Sequence, residues 1–329
     1  MRQFRIGGGR RMHNLIFCTV CAGALTFVGL GLTIDPAVYV IALVVAVCLV
    51  GVPHGGLDSW EGRRWLVPVV GSHWCWVFFS GYLAVAVLVV VGWLVMPLWT
   101  AILFFLVSAW HFGWEDNGLR SKTLLWNHLA AIGSGGLVIW IPALCRPSEM
   151  QSILEWVVPS SMPTSALQIV GTARSIAMIF VPIAISDFGF SLAKSYARKL
   201  PLESSLLRNP LLVALFAWTP ILFSFGFYFC GWHSIRGLVH MKEEQKISNS
   251  ELLFAVLPLS LGAIGLTGAA TWFWSSGREL SAELSRSLFI GLSAIAVPHL
   301  ILNGVVESLP RLTSEKIDHE THRARGLTQ

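Results

Sequence analysis

Long apolar runs joined by short polar links dominate the chain. They fall at residues 14–33, 37–52, 74–96, 98–112, 124–145, 166–185, 211–230, 252–274 and 284–306, most of them near the roughly 17–25 residues that an α-helix needs to cross a bilayer. Tight breaks at Ile34-Asp35-Pro36 and at Pro97 separate neighbouring runs. An apolar piece at 153–158 is too short to cross. The link at 186–210 is amphipathic and basic, with Lys194, Arg198, Lys199 and Arg208, and is expected at the membrane surface. The pattern predicts an all-α, polytopic transmembrane helix bundle of eight to nine spans. A basic N-terminus at 1–13 precedes a single transmembrane domain at 14–307, and a polar C-terminal tail follows at 308–329.

Composition agrees with the pattern. The 329 residues are 54% hydrophobic and 12% charged, against roughly 25% charged in soluble domains. The net charge of +5 therefore calls for no nucleic acid. Arg2, Arg5, Arg10 and Arg11 read as topology and contact with anionic membrane lipid. The first run is nearer a full span than a signal-peptide core, so it is expected to remain as an uncleaved helix. Cysteines 18, 21, 48, 75, 145 and 230 lie mostly within or beside apolar runs, where a thiol behaves as a small hydrophobe, and no disulfide framework is expected. Lys and Arg in the links place the N-terminus on the cytoplasmic side of a cell (inner) membrane. His54 and His111 then share that side, while the same count of crossings strands His233 on the other unless the histidines sit nearer the midplane or one crossing in the second half is miscounted.

Histidines end or interrupt several of these runs, where a polar ring next to lipid needs a partner. Residues four apart share a helix face. His54 has Asp58 at that spacing, His111 has Glu115 and His299 has Asn303, while His233 has Arg236 at i+3 and His240 at i+7. A carboxylate or amide one turn away can accept the second ring N–H of a ligating histidine and fix its tautomer. A shared metal site follows, with iron suited to a mostly imidazole set and zinc as the competitor. An ion-coupled membrane transporter would also place His, Asp and Arg inside a bundle and is the non-enzyme alternative. His13, His319 and His322 lie near the ends of the chain and are expected to be solvated.

These residues carry a resemblance to the Brp/Blh family of membrane carotenoid oxygenases. Pro53-His54-Gly55-Gly56-Leu57-Asp58 is similar to the family's PHGALD motif, and Trp110 to Asp116 to its HFG-containing acidic motif. His233-Ser234-Ile235-Arg236 resembles the start of HSxRH, and Pro298-His299 the late PH motif. The resemblance implies an Fe(II)-dependent enzyme that cleaves the 15,15' double bond of β-carotene with O₂ to give retinal. It implies a carotenoid substrate drawn from the bilayer and, as product acceptor, a retinal-binding rhodopsin. The implied ligands are His54, His111 and His233, supported by Asp58, Glu115, Asp116, Ser234, Arg236 and Asn303. Where the family motif has a second histidine this chain has Gly237. Either His240 or His299 is then expected to complete the set; otherwise the chain is a divergent relative with another polyene substrate or no activity.

Overall fold

The computed structural model describes residues 8–31, 35–117, 124–198, 204–274 and 280–308. Among the described residues the secondary structure is entirely helical. That is the expected outcome for backbone in lipid, where every N–H and C=O must be satisfied within its own segment. Helix α1 (Gly8–Gly29) is followed by α2 (Pro36–Ala46), whose first turn is capped by the Asp35 side chain accepting from Ala37 N at 2.8 Å. The α2 segment continues through a π-helical stretch, Val47–Gly51, to His54 and a 3₁₀ turn, Gly55–Leu57. Then come α3 (Asp58–Val70), α4 (Trp74–Val95) and α5 (Pro97–Asn117).

The second half holds α6 (Leu124–Gly135), α7 (Leu137–Cys145), α8 (Pro147–Val157) and the 33-residue α9 (Ser165–Ala197). Helix α10 (Ser204–Trp218) breaks at Pro220 into α11 (Ile221–Gly226), a second π-helical stretch Phe227–Ser234, and α12 (Ile235–Gln245). Helices α13 (Asn249–Trp274) and α14 (Leu280–Ser308) follow.

The all-α membrane fold is as expected, but the count of spans differs. Among the described residues five helical stretches are long and apolar enough to cross, or six if α6 and α7 together make one. The expected runs at 37–52 and 74–96 fall within one helical stretch, Ala37–Val95, while the runs at 14–33 and 211–230 give shorter apolar helices, Leu15–Gly29 and Leu207–Trp218. The expected fifth span is bent by 53° between Gly135 and Leu137, the geometry of a broken span or a re-entrant loop.

Three local expectations also change. Helix α9 runs on through residue 197, taking up half of the link expected at the surface. Arg208 from that link is buried, 1% exposed. His13 accepts no solvated place: its Nε2 lies 2.8 Å from Gly231 O and its ring stacks on Trp232. The basic segment before residue 8 and the tail beyond 308, with His319 and His322, lie outside the described residues.

Helices α5 and α6 approach so closely that a Cβ on Gly113 or on Gly135 would overlap the backbone of the facing helix. Small residues permit this approach, which substitutes for the hydrophobic drive that lipid does not supply. Large apolar side chains such as Leu49, Trp76, Leu88, Met178 and Phe254 are exposed, as expected of a surface solvated by acyl chains.

Candidate metal centre and the apolar cavity beside it

Two π-helical stretches bring the central histidines together. One runs up to Gly51, three residues before His54, and the other contains His233. A π turn inserts an extra residue and re-aims the side chains that follow, which is why such turns recur at functional sites. The four rings of His54, His111, His233 and His299 form one cluster. Ring centroids lie 4.9 Å apart for His54 and His233, 5.3 Å for His111 and His233, 5.3 Å for His54 and His299, and 5.4 Å for His111 and His299. All four are buried. His233 thus lies with His54 and His111, not on the opposite side. His240 is exposed and stands outside the group of possible ligand atoms.

Within the cluster, one ligand atom each from His54, His111, Glu115 and His299 lies within 4.8 Å of the others. Two nitrogens on opposite sides of a metal are separated by about 4.2 Å, twice a bond of about 2.1 Å, so small rotations would bring these atoms onto one ion. Both ring nitrogens of His54 and Nε2 of His111 are buried without a hydrogen-bond partner. Leaving such groups unpaired costs roughly 1–3 kcal/mol each, a cost that coordination of a cation removes. The residues present therefore fit a metal.

His299 is held differently. Its Nδ1 is 2.7 Å from Asp58 Oδ1, and Tyr82 donates its hydroxyl to Asp58 Oδ2 at 3.1 Å and to Ile295 O at 3.0 Å. With Nδ1 engaged by a carboxylate, Nε2 of His299 is the atom left to face a metal. Asp58 serves His299 and not His54, four residues before it, because the 3₁₀ turn at Gly55–Leu57 breaks the α-helical register between them. Glu115 lies 3.4 Å from Nε2 of His111 and 3.6 Å from Nδ1 of His233.

Asp116 faces a separate, sealed network. Its Oδ2 is 2.6 Å from Arg208 Nη1 and accepts from Tyr228 Oη at 3.0 Å, while Oδ1 accepts from Trp232 Nε1 at 3.0 Å. Arg236 is 3.7 Å from Oδ1 and stacks 4.8 Å over Trp232. The network ties the end of α5 to α10 and to the π-helical stretch that carries His233. Ser234 Oγ is fully buried without a hydrogen-bond partner, and the Asn303 side chain lies outside the described residues. Tyr82, Arg208, Tyr228 and Trp232 were not singled out by spacing. The available signal was a hydroxyl or a guanidinium within or beside an apolar run.

An apolar cavity of about 1090 Å³, counting its open mouth, adjoins the cluster, with His111 and His233 in its wall. Phe112, Phe225, Phe229, Phe289 and Leu300 line its length. The four buried residues of α8, Met150, Ile153, Leu154 and Val157, all line it as well. The start of helix α8 lies beside Ile221, since Glu149 accepts from Ile221 N at 2.8 Å. Ile221 precedes His233 by twelve residues, a helical path of roughly 15–18 Å.

The fold and site define a class: a polytopic helical membrane protein with a buried histidine–carboxylate cluster opening onto a long apolar cavity. More closely, the chain belongs to the Beta-carotene 15,15'-dioxygenase family, whose sequence model matches residues 45–307. It is 26% identical over 263 residues to the Beta-carotene 15,15'-dioxygenase of Uncultured marine bacterium 66A03, covering 78% of this chain and 90% of that protein. It is 23% identical over 302 residues to the Probable beta-carotene 15,15'-dioxygenase Blh of Halobacterium salinarum, covering 82% and 85% of the two chains. At these identities it is a divergent member. No solved structure gives a significant match.

Proposed function

We propose that the protein is an iron-dependent oxygenase that cleaves β-carotene at its 15,15' double bond with O₂, each product retinal taking one oxygen atom as its aldehyde. Family membership supports carotenoid cleavage. The observation that carries the reading to this chain is the apolar cavity with His111 and His233 in its wall, next to the unpartnered nitrogens of His54.

Fe(II) at the cluster would supply the means of activating O₂. His54, His111 and His299 would hold it, with His233 against them. Tyr82 and Asp58 keep His299 in one tautomer, with Nε2 facing inward. The cavity gives the polyene no hydrogen-bonding demands and keeps water away from the reacting bond. A rigid polyene lying against α8 and the other cavity walls is held in one register, so that shape selects the bond brought to the histidines. Exposed apolar helices around the bundle leave the bilayer as the source of substrate. Retinal released into the same membrane would be available to a retinal-binding rhodopsin, and we place the N-terminus on the cytoplasmic side of the inner membrane.

Expression in β-carotene-producing bacteria tests this directly. Loss of orange colour with retinal detected by chromatography is expected, and His54→Ala or His233→Ala should leave the pigment intact. Intact pigment with the unaltered protein, together with no iron in the purified chain, would count decisively against the reading.

A further inference from the structure

Glu115 stands four residues after His111, a spacing that suits a hydrogen-bond partner behind a ligating ring. The geometry is different. The carboxylate lies among the ring nitrogens, 3.4 Å from Nε2 of His111 and 3.6 Å from Nδ1 of His233, and one of its oxygens belongs to the set within 4.8 Å that includes His54 and His299. Nε2 of His111 is itself buried without a hydrogen bond, so the carboxylate faces the ring's unpaired edge without hydrogen-bonding to it. The position at 237 offers no donor. A Cβ on Gly237 would overlap Cε1 and Nδ1 of the His54 ring.

We propose that Glu115 is a direct metal ligand, completing with His54, His111 and His299 a three-histidine, one-carboxylate site for a divalent first-row metal. The proposal rests on the metal-site reading above and deepens it. Three neutral imidazoles leave a bound dication at +2, and one carboxylate lowers the site to +1, which reduces the cost of holding the ion away from water. Neighbouring Asp116 is engaged by Arg208, Tyr228 and Trp232, which fixes the end of α5 and leaves Glu115 as the carboxylate turned to the cluster. In this arrangement Nδ1 of His233 steadies the Glu115 oxygen that is not bound to metal. Glu115 is also the one exposed member of the set, so its side chain is the donor able to swing aside when the ion enters.

The full-length chain, purified in detergent without metal, should be titrated with Co(II), whose ligand-field bands report the donor set. The unaltered protein is expected to bind one equivalent. Glu115→Gln keeps the shape but loses the anionic donor, so affinity should fall by more than the about 10–100-fold typical of losing a mere orienting partner, and the bands should shift. Unchanged affinity and bands in Glu115→Gln would overturn the assignment, and so would weaker binding with bands left in place, the signature of an orienting role. Failure of the unaltered protein to bind Co(II) would overturn the metal-site reading itself. A measurement on the unaltered chain removes dependence on the variant's folding. The metal-induced infrared difference spectrum should contain a perturbed carboxylate stretch, and its absence would sink the proposal.

Discussion

The imidazole of His54 fills the space that a side chain at Gly237 would need. The two residues are 183 positions apart in sequence, yet the absence of a Cβ at 237 is what admits the ring. Glycine here is a requirement of close approach. An added histidine at 237 has no room beside His54 as His54 now stands.

Gly237→Ala should therefore displace the His54 ring and lower stability by about 1–3 kcal/mol, the usual cost of overpacking. Gly237→His should likewise lose metal binding and not improve it. Metal content by elemental analysis and the apparent melting temperature in detergent check both. Higher metal occupancy in Gly237→His would show that the site can repack around an added donor.

The Tyr82–Asp58–His299 chain predicts graded effects on metal affinity. Asp58→Asn replaces the charged acceptor for His299 Nδ1 and should weaken binding by about 10–100-fold. Tyr82→Phe removes only the hydroxyl bonded to Asp58 and Ile295 O, and a smaller loss is expected. Competition with a chelator measures both, and equal affinities in all three proteins would remove the chain from the site.

Arg208→Ala leaves the Asp116 carboxylate, 4% exposed, without its closest cationic partner. Removing one member of a buried ion pair costs about 3–5 kcal/mol. The expected result is a lower melting temperature and lower yield, because α5, α10 and the stretch carrying His233 lose their common tie. A melting curve superimposable on the parent's would contradict this role.

Leu154 faces the cavity from α8 and is not a member of the metal-binding set. Leu154→Trp should shorten the cavity and cut retinal formation by about tenfold or more, a magnitude typical of steric misfit in an apolar pocket. Metal content should be unchanged. Retinal yield and iron stoichiometry from one preparation separate the two effects, and undiminished yield would mean that Leu154 does not touch the polyene.

The class of structure was legible in the amino-acid pattern alone, and so were the histidines that the fold gathers into one cluster. Runs of apolar residues with few charges admit little besides membrane helices, because backbone in lipid must satisfy its own hydrogen bonds. Histidines ending those runs mark a site, because polar rings beside lipid need partners. The His111–Glu115 pair was legible too, since both lie on one unbroken helix, α5. Local spacing failed where the helix was not regular. Asp58 sits four residues after His54 but, across a 3₁₀ turn, engages His299 instead. Counting crossings set His233 apart, whereas its ring centroid lies 4.9 Å from that of His54. Arg208 looked like a surface charge until α10 brought it onto Asp116. Each of these contacts joins residues from different helices whose relative placement depends on bends, π turns and glycine contacts, features that no local periodicity records.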